Sequence, residues 1–233
     1  MIIGSVSENK ELEKRISITP ELAKKYISSG FEIIIETGYG SHINISDEKF
    51  INAGCKVDNK ENTIKKSEII LQVDLPDESI LNRLNENNII IGNFSSNQNI
   101  EKIQRLTSKK INVFSLELLP RITRAQSMDI LSSQANLAGY KAVVDSFAEF
   151  KKAIPMMMTA AGTISAAKVL AVGAGVAGLQ AIATAKRMGA IVFATDVRMA
   201  SKEQVESLGG KFLTVEGAEN LETEGGYAKE TSD

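Results

Sequence analysis

The chain is poor in the residues on which many catalytic and metal sites depend. Its 233 residues include one cysteine, Cys55, and one histidine, His42. A single cysteine excludes an internal disulfide framework and fits a reducing compartment, and we interpret Cys55 as a packing residue. A single histidine, which we interpret as a surface residue in a Gly/Ser turn, leaves a Ser-His-Asp triad only one possible base. With no cluster at the spacing of zinc ligands, we predict no metal site.

Charge and hydropathy exclude further classes. The net charge is −2 and there is no basic run, so we expect no nucleic-acid partner. The opening residues lead directly into a charged segment over 8–15, so we expect no secretory signal. The stretch 154–185 carries one charge, Lys168, and is long enough to span a membrane, but four glycines and a proline divide it. We interpret it as the buried core of an α/β domain.

The most informative pattern is a glycine-rich turn. An apolar strand over 168–172 runs directly into Gly173, Gly175 and Gly178. In a dinucleotide-binding βαβ unit, the first glycine permits a tight turn and the second lets the backbone approach a pyrophosphate. The third lets the helix pack close to the strand. The N–H groups at the start of that helix attract phosphates. The pattern therefore predicts a nucleotide-type cofactor site.

An acidic residue completes this pattern. A second strand over 191–195 ends at Asp196, whose carboxylate would accept hydrogen bonds from a ribose diol and repel a 2′-phosphate. We therefore expect a preference for NAD(H) over NADP(H). Two other interpretations remain open at this point. One is an S-adenosylmethionine site, which also uses a glycine-rich turn and an acid. The other is a glycine-lined contact between helix and strand that binds no ligand.

The chain as a whole is predicted to be an α/β protein with two Rossmann-like parallel-sheet subdomains joined by a long helix. Short apolar strands alternate with helical segments over the first 120 residues, which favours a parallel sheet. We predict an N-terminal subdomain over 1–131, a connecting helix over 132–152 and a dinucleotide-binding subdomain over 153–233. Because only the first half of a dinucleotide fold is predicted there, we expect that another chain completes it or that the sequence is a fragment.

A polar segment before the connecting helix is a second candidate site. Residues 120–134 contain two guanidiniums, two amides, a carboxylate and several hydroxyls. A polar loop beside a cofactor needs such groups, with amides for a carboxamide and arginine for a phosphate or carboxylate. An ordinary loop whose Ser127 and Asp129 cap the following helix would have a similar composition. Both interpretations remain open from composition alone.

At these motifs the sequence closely resembles a known family, the NAD(H)-binding domain of the alpha subunit of proton-translocating NAD(P) transhydrogenase. The resemblance is carried by residues 121–140, 155–163, 173–187 and 203–215, and it extends to the opening motif over 15–20. It implies a Re/Si-specific transhydrogenase, in which hydride passes directly from NADH on this domain to NADP⁺ on a separate domain. A membrane domain couples that transfer to proton translocation.

The resemblance also implies roles for individual residues. Those expected to orient the nicotinamide and to act catalytically are Arg121, Gln126, Asp129 and Ser132, with Ile122, Thr123 and Arg124 in the same cofactor-binding loop. Gln126 would contact the partner nucleotide across the interface. The residues expected at the pyrophosphate are Gly173, Gly175, Val176 and Gly178, and those expected at the adenosine ribose are Asp196, Val197 and Arg198. Gly226 and Tyr227 belong to a segment similar to the family's mobile loop and would close over the cofactor.

Partners follow from the same resemblance. It implies transhydrogenase subunits that carry the NADP(H)-binding and membrane parts, and a homodimer of this chain. It also implies a cytoplasmic location, peripheral on the inner (plasma) membrane through those subunits.

Two alternatives belong to other classes. Alanine dehydrogenase shares the fold and resembles the chain at Arg15, but its catalytic lysine and histidine are absent from the corresponding neighbourhoods, 72–76 and 92–96. Without an imidazole there is no evident base for amino-acid oxidation. The other alternative is an inactive, truncated NAD-binding remnant. The missing half of the sheet supports it, because strand edges left exposed would destabilise the domain. We favour a fragment of a transhydrogenase subunit.

Overall fold

The chain forms two compact units, Met1–Asp129 and Ile130–Asp233. The structure, a computed structural model, describes residues 1–120 and 122–214. Each unit contains a parallel sheet with helices packed against it, so the predicted α/β class with two Rossmann-like subdomains is confirmed.

The first unit is built on a six-stranded parallel sheet. Its strands are β1 (Ile2–Ser5), β2 (Glu32–Glu36), β3 (Lys56–Asp58), β4 (Ile69–Leu71), β5 (Ile89–Gly92) and β6 (Asn112–Ser115). Its helices are α1 (Pro20–Ser28), α2 (Asp47–Asn52), α3 (Lys60–Lys66), α4 (Glu78–Leu81) and α5 (Ile100–Ser108). The strand order is β3-β2-β1-β4-β5-β6, the order of a doubly wound dinucleotide fold, and it reverses between β1 and β4.

The sheet of the first unit is covered on both faces. Ile33, Ile34 and Ile35 are consecutive in β2 and all are buried, which a strand shows only when helices cover both of its faces. One apolar cluster around Ile33 and Phe50 packs with α1 and α2, and a second around Ile70 and Ile90 packs with α3 to α5. The carboxyl ends of the strands are thereby held at one edge.

The second unit begins with a long helix. Its elements are α6 (Ile130–Glu149), β7 (Met157–Thr159), β8 (Gly162–Ile164), β9 (Lys168–Val172), α7 (Val176–Arg187), β10 (Ile191–Thr195), α8 (Ser201–Ser207) and β11 (Lys211–Phe212). In the described part of this unit, β11, β10 and β9 form a parallel sheet in that order, while β7 and β8 pair as an antiparallel hairpin. The helix α6 packs along α7, with Val143 and Ile182 in a shared apolar cluster.

The observed helices and strands match the elements predicted from the sequence in some places and differ in others. The helix predicted over 132–152 is observed as α6, which starts and ends earlier. The strands β1 and β3, the helix α3 and the β7–β8 hairpin were not predicted. Among the described residues, no helix is both long and apolar enough to cross a bilayer.

Candidate functional site

The glycine-rich turn joins β9 to α7 in the second unit. Gly173 has φ = +96°, a conformation that L side chains rarely adopt. Its N–H donates to the carbonyl oxygen of Thr195 at 2.8 Å, which ties the turn to the end of β10. Gly175 is the N-cap of α7, and Val176 is the first helical residue. The turn therefore takes the course that the glycine spacing predicts.

Gly175 and Gly178 are glycine for different reasons. A Cβ added to Gly178 would lie 1.9 Å from the carbonyl oxygen of Gly173, so a side chain there would push the helix away from the turn. A Cβ added to Gly175 would meet only a guanidinium nitrogen of Arg198, at 4.0 Å. Gly178 thus permits internal packing, whereas Gly175 leaves open space in front of the helix N-terminus.

The start of α7 fits the pyrophosphate of a dinucleotide. The first N–H groups of a helix have no intrahelical acceptor, and the helix dipole adds partial positive charge there. No side chain caps α7, because its N-cap is Gly175, and Gly175 and Val176 are exposed. An anionic group can therefore approach these N–H groups through the space that Gly175 leaves open.

Asp196 lies where β10 ends, and its carboxylate has several partners. Oδ2 accepts a hydrogen bond from the N–H of Ala174 at 2.6 Å, inside the glycine turn. Oδ1 accepts from both the backbone N–H and Nε of Arg198, each at 2.9 Å. The Arg198 guanidinium, together with the backbone donors, holds the pKa of Asp196 down at about 2. The carboxylate is therefore ionised at neutral pH and braces the turn.

This arrangement adds to what the sequence suggested. The expected role of Asp196 was to bind ribose hydroxyls, yet its side chain is only 6% exposed and that of Arg198 is 20% exposed. Neither the contact with Ala174 nor the Asp196–Arg198 pair was predicted from the sequence. A carboxylate followed two residues later by arginine, at the end of a strand, was the available signal. Contact between Asp196 and ribose stays a prediction.

The loop residues expected at the nicotinamide belong to the first unit. Thr123–Met128 forms a 3-10 helix whose only buried residue is Ala125. The other candidate side chains on this segment, Thr123, Arg124 and Gln126, are exposed, as is Ile122 before it. The backbone N–H of Asp129 donates to the carbonyl oxygen of Gln126 at 3.2 Å and closes the segment.

The remaining candidates are divided between the units and the rest of the chain. Ser132 lies in the first turn of α6, in the second unit, with the glycine turn and Asp196. Val197 is exposed beside Asp196. Arg121, Gly226 and Tyr227 lie outside the described residues.

A second polar cluster occupies the carboxyl ends of β1 and β4 in the first unit. Oε1 of Glu8 accepts hydrogen bonds from the N–H of Val73 at 2.6 Å and from Nε2 of Gln72 at 3.1 Å. Burial raises the pKa of Glu8 to about 7, and the neighbouring carboxylates of Asp74 and Glu13 add to the rise, although backbone hydrogen bonds from Val73 and Asp74 lower it. Glu13 pairs with Arg15. These side chains occupy the point where the strand order reverses.

The residues that are rare in the sequence do not form a reactive centre in the described residues. Cys55 is buried, and burial raises the pKa of its thiol to about 11. His42 is half-buried rather than exposed as expected, with Nε2 3.0 Å from the carbonyl oxygen of Lys14. No group of residues within 1–120 and 122–214 has the composition and proximity of a metal site.

Comparison with known proteins identifies the family. The domain models of alanine dehydrogenase/PNT match the chain in order, the N-terminal domain over residues 4–138 and the C-terminal domain over residues 142–230. The chain belongs to this family. The family assignment accounts for two successive α/β units, the second of which carries the glycine turn.

Within the family, the chain is more similar to the transhydrogenase branch. It is 48% identical to an NAD(P) transhydrogenase subunit alpha polypeptide of Rhodospirillum rubrum, an alignment that covers 99% of this chain and 62% of that protein. It is 25% identical to the alanine dehydrogenase of Bacillus subtilis, over 90% of this chain and 56% of that protein. The resemblance to transhydrogenase alpha subunits is thereby confirmed.

A solved structure also places the chain nearer to the transhydrogenases of this family. The transhydrogenase of Sinorhizobium meliloti superposes with a TM-score of 0.87 at 46% identity, covering 92% of this chain and 64% of that chain. The chain therefore spans less than two thirds of the length of these relatives.

Proposed function

We propose that the chain is the NAD(H)-binding part of a proton-translocating NAD(P)⁺ transhydrogenase. The observation that carries the proposal is the second unit's β9–turn–α7 geometry, in which Gly175 leaves the helix N-terminus open and Asp196 braces the turn. Similarity to NAD(P) transhydrogenase alpha subunits supports a nicotinamide dinucleotide as the ligand, and we assign NAD(H) to it.

In this proposal the chain's own residues bind and orient the dinucleotide. Gly173, Gly175, Val176 and Gly178 receive the pyrophosphate at the start of α7, where N–H groups and the helix dipole complement its charge. Asp196, Val197 and Arg198 lie at the adenosine ribose. When bound, the nicotinamide supplies the hydride, so the protein's contribution is positioning rather than acid–base chemistry.

The loop before α6 would hold the nicotinamide end. The exposed side chains of Thr123, Arg124 and Gln126 are available to a ligand or to a partner domain, and Gln126 is assigned to the contact with the partner nucleotide. The further residues assigned to this end are Arg121, Ile122, Asp129 and Ser132. Gly226 and Tyr227 are assigned to closure over the cofactor.

The proposal also names partners. NADP(H) binds to a separate domain, and a membrane subunit couples hydride transfer to proton translocation. The chain functions as a homodimer and associates peripherally with the cytoplasmic face of the inner membrane through those subunits.

Hydride transfer to a partner tests this function directly. The complete gene product is mixed with the NADP(H)-binding domain of a transhydrogenase, and transfer from NADH to an NADP⁺ analogue is followed by absorbance. We expect transfer only when both proteins are present. A preparation that binds NADH yet transfers no hydride to the NADP⁺ analogue would contradict the proposal.

Two further measurements distinguish the alternatives. Pyruvate-dependent NADH oxidation by the chain alone would identify an alanine-dehydrogenase-like activity. We expect none, because Gln72 and Asp74 stand in the neighbourhood where alanine dehydrogenase carries its catalytic lysine, and the sequence offers no second histidine. NADH binding without turnover in either assay would identify an inactive remnant.

A further inference from the structure

Gly139 brings two helices into backbone contact. It lies in the interior of α6 and is buried. A Cβ added at this position would be 2.1 Å from the carbonyl oxygen of Ala177 and 2.9 Å from its carbonyl carbon. Because both atoms belong to the backbone of α7, they cannot move aside as the end of a flexible side chain would. The absence of a side chain at Gly139 therefore sets how closely α6 approaches α7.

The contact falls on the part of α7 that faces the proposed pyrophosphate. Gly175 is the N-cap of α7, so Ala177 lies in the first turn, among the residues whose N–H groups have no intrahelical acceptor. The next residue, Gly178, abuts the carbonyl oxygen of Gly173. The first turn of α7 is thus held by a backbone contact with the glycine turn and by another with α6.

The helix α6 also carries a candidate residue for the other end of the dinucleotide. Ser132 lies in its first turn, seven residues before Gly139. At a rise of about 1.5 Å per residue, the two are about 10 Å apart along the helix. A displacement of α6 against α7 would therefore change the distance between Ser132 and the glycine turn.

We propose that Gly139 is a positioning residue for the dinucleotide site, fixing the first turn of α7 and the placement of Ser132 through its contact with Ala177. The inference rests on the proposed NAD(H) binding. Gly139 acts through α7 and α6 and has no contact of its own with the ligand.

The variant Gly139→Ala tests the spacing between α6 and α7 without weakening the helix α6 itself. Alanine is a stronger helix former than glycine, so α6 itself remains favoured. Its Cβ, however, would lie 2.1 Å from the carbonyl oxygen of Ala177, whereas ordinary contact begins at 3.4 Å, so the two helices must separate by about 1.3 Å. A misplacement of this size costs on the order of a hundredfold in reactions that depend on alignment.

Ligand binding and transfer are compared in the complete gene product. We expect Gly139→Ala to raise the Kd for NADH about tenfold or more, because charge-assisted hydrogen bonds to phosphate lengthen. Transfer at saturating NADH is expected to slow as well. Asn136→Ala is the matched control, since Asn136 is exposed on the same helix and this substitution also raises helix propensity, though by less than Gly139→Ala does. A folded Gly139→Ala variant with the Kd of the unmodified protein would overturn the inference.

Two fragments of the dinucleotide distinguish a displaced pyrophosphate site from a general loss of stability in Gly139→Ala. Adenosine lacks the pyrophosphate, so its affinity is expected to change less than twofold in Gly139→Ala, whereas ADP-ribose is expected to weaken as NADH does. Equal weakening of adenosine and ADP-ribose would show that Gly139 has a merely structural role.

A measurement on the unmodified protein does not depend on the variant folding. NADH is expected to slow amide hydrogen exchange over 136–142 in α6 together with exchange in the first turn of α7. Protection of α7 without any change in α6 would overturn the inference. Failure of the unmodified protein to bind NADH at all would instead overturn the proposed function.

Discussion

Asp196 and Arg198 form an ion pair within one short segment of chain, with Nε of Arg198 2.9 Å from Oδ1 of Asp196. The other oxygen, Oδ2, accepts from the N–H of Ala174 and from a terminal nitrogen of Arg198. One carboxylate thus braces the glycine turn and orients the guanidinium beside Gly175. The ion pair therefore stabilises the shape of the glycine turn and sets where the Arg198 charge lies beside Gly175.

Removing this carboxylate is expected to change nucleotide preference. In Asp196→Ala, the turn loses its brace and NADH affinity falls about tenfold to a hundredfold. The affinity for NADPH is expected to fall much less, because the charge that repels a 2′-phosphate is gone and Arg198 is released. Fluorescence titrations with both nucleotides measure the ratio. Glu203→Ala removes an exposed carboxylate from α8 and serves as the control. Equal losses for the two nucleotides would argue against a role in discrimination.

Two alanine substitutions in the turn are expected to have different effects. Gly175→Ala adds a Cβ that meets only Arg198, at 4.0 Å, so the protein keeps its thermal stability while NADH binding is lost. Gly178→Ala places a Cβ 1.9 Å from the carbonyl oxygen of Gly173 and is expected to lower stability by about 1–3 kcal/mol. Thermal unfolding and NADH titration measure both variants. A Gly175→Ala protein with full NADH affinity would show that the pyrophosphate lies elsewhere.

Substitutions in the exposed 3-10 segment Thr123–Met128 are expected to affect hydride transfer more than NADH binding. Gln126→Asn keeps the amide but shortens the side chain, so NADH affinity stays within about twofold while hydride transfer slows about tenfold or more. Stopped-flow transfer to the partner domain and equilibrium titration give the two quantities. Ser127→Ala, exposed on the same 3-10 segment, is the control and is expected to leave both unchanged. Parallel losses of binding and transfer in Gln126→Asn would contradict this division of roles.

Stability is expected to depend on pH through Glu8. Its pKa rises from 4.5 to about 7 on folding, chiefly because the carboxyl is buried. The folded state therefore binds the extra proton between these values, and the free energy of unfolding falls as pH rises from 4.5 to 7. We expect a loss of about 1–2 kcal/mol, less than the full shift implies because the carboxyl is partly screened by solvent.

The variant Glu8→Gln tests the origin of that dependence. Glutamine does not titrate, and its oxygen still accepts from the N–H of Val73, so we expect a flatter profile and greater stability at pH 8. Denaturant unfolding at several pH values measures this. Glu11→Gln, an exposed carboxylate in the same segment, is the control. If Glu8→Gln has the slope of the unmodified protein, the proton is bound elsewhere.

Much of the second unit was predictable because its signals are local. The strands predicted over 168–172 and 191–195 are observed with those bounds as β9 and β10. Each is a short apolar run, and the glycine or aspartate that follows it marks where the strand ends. The start of α1 was likewise predictable, because the hydroxyl of Thr19 caps the helix and Pro20 occupies its first position.

Other features depend on contacts that the sequence does not display. The strand β1 was not predicted because it is short, and it is stabilised by pairing with β2 and β4 rather than by its own pattern. The β7–β8 hairpin turns without an Asn-Gly signal, using Gly162 at φ = +139°. The contact of Asp196 with Ala174 and that of Gly139 with Ala177 arise only when the glycine turn and α7 pack, so spacing alone could not reveal them.

The sheet order of the first unit bears on where an anionic ligand can settle. Both units present the carboxyl ends of parallel strands, the edge where such folds take nucleotides. In the second unit that edge offers a bare helix N-terminus, whereas in the first it carries Glu8, Glu13 and Asp74, with Arg15 paired to Glu13. Carboxylates at the first unit's edge therefore disfavour a phosphate there, with Glu8 only partly ionised near neutral pH, whereas the open N-terminus of α7 favours one in the second unit.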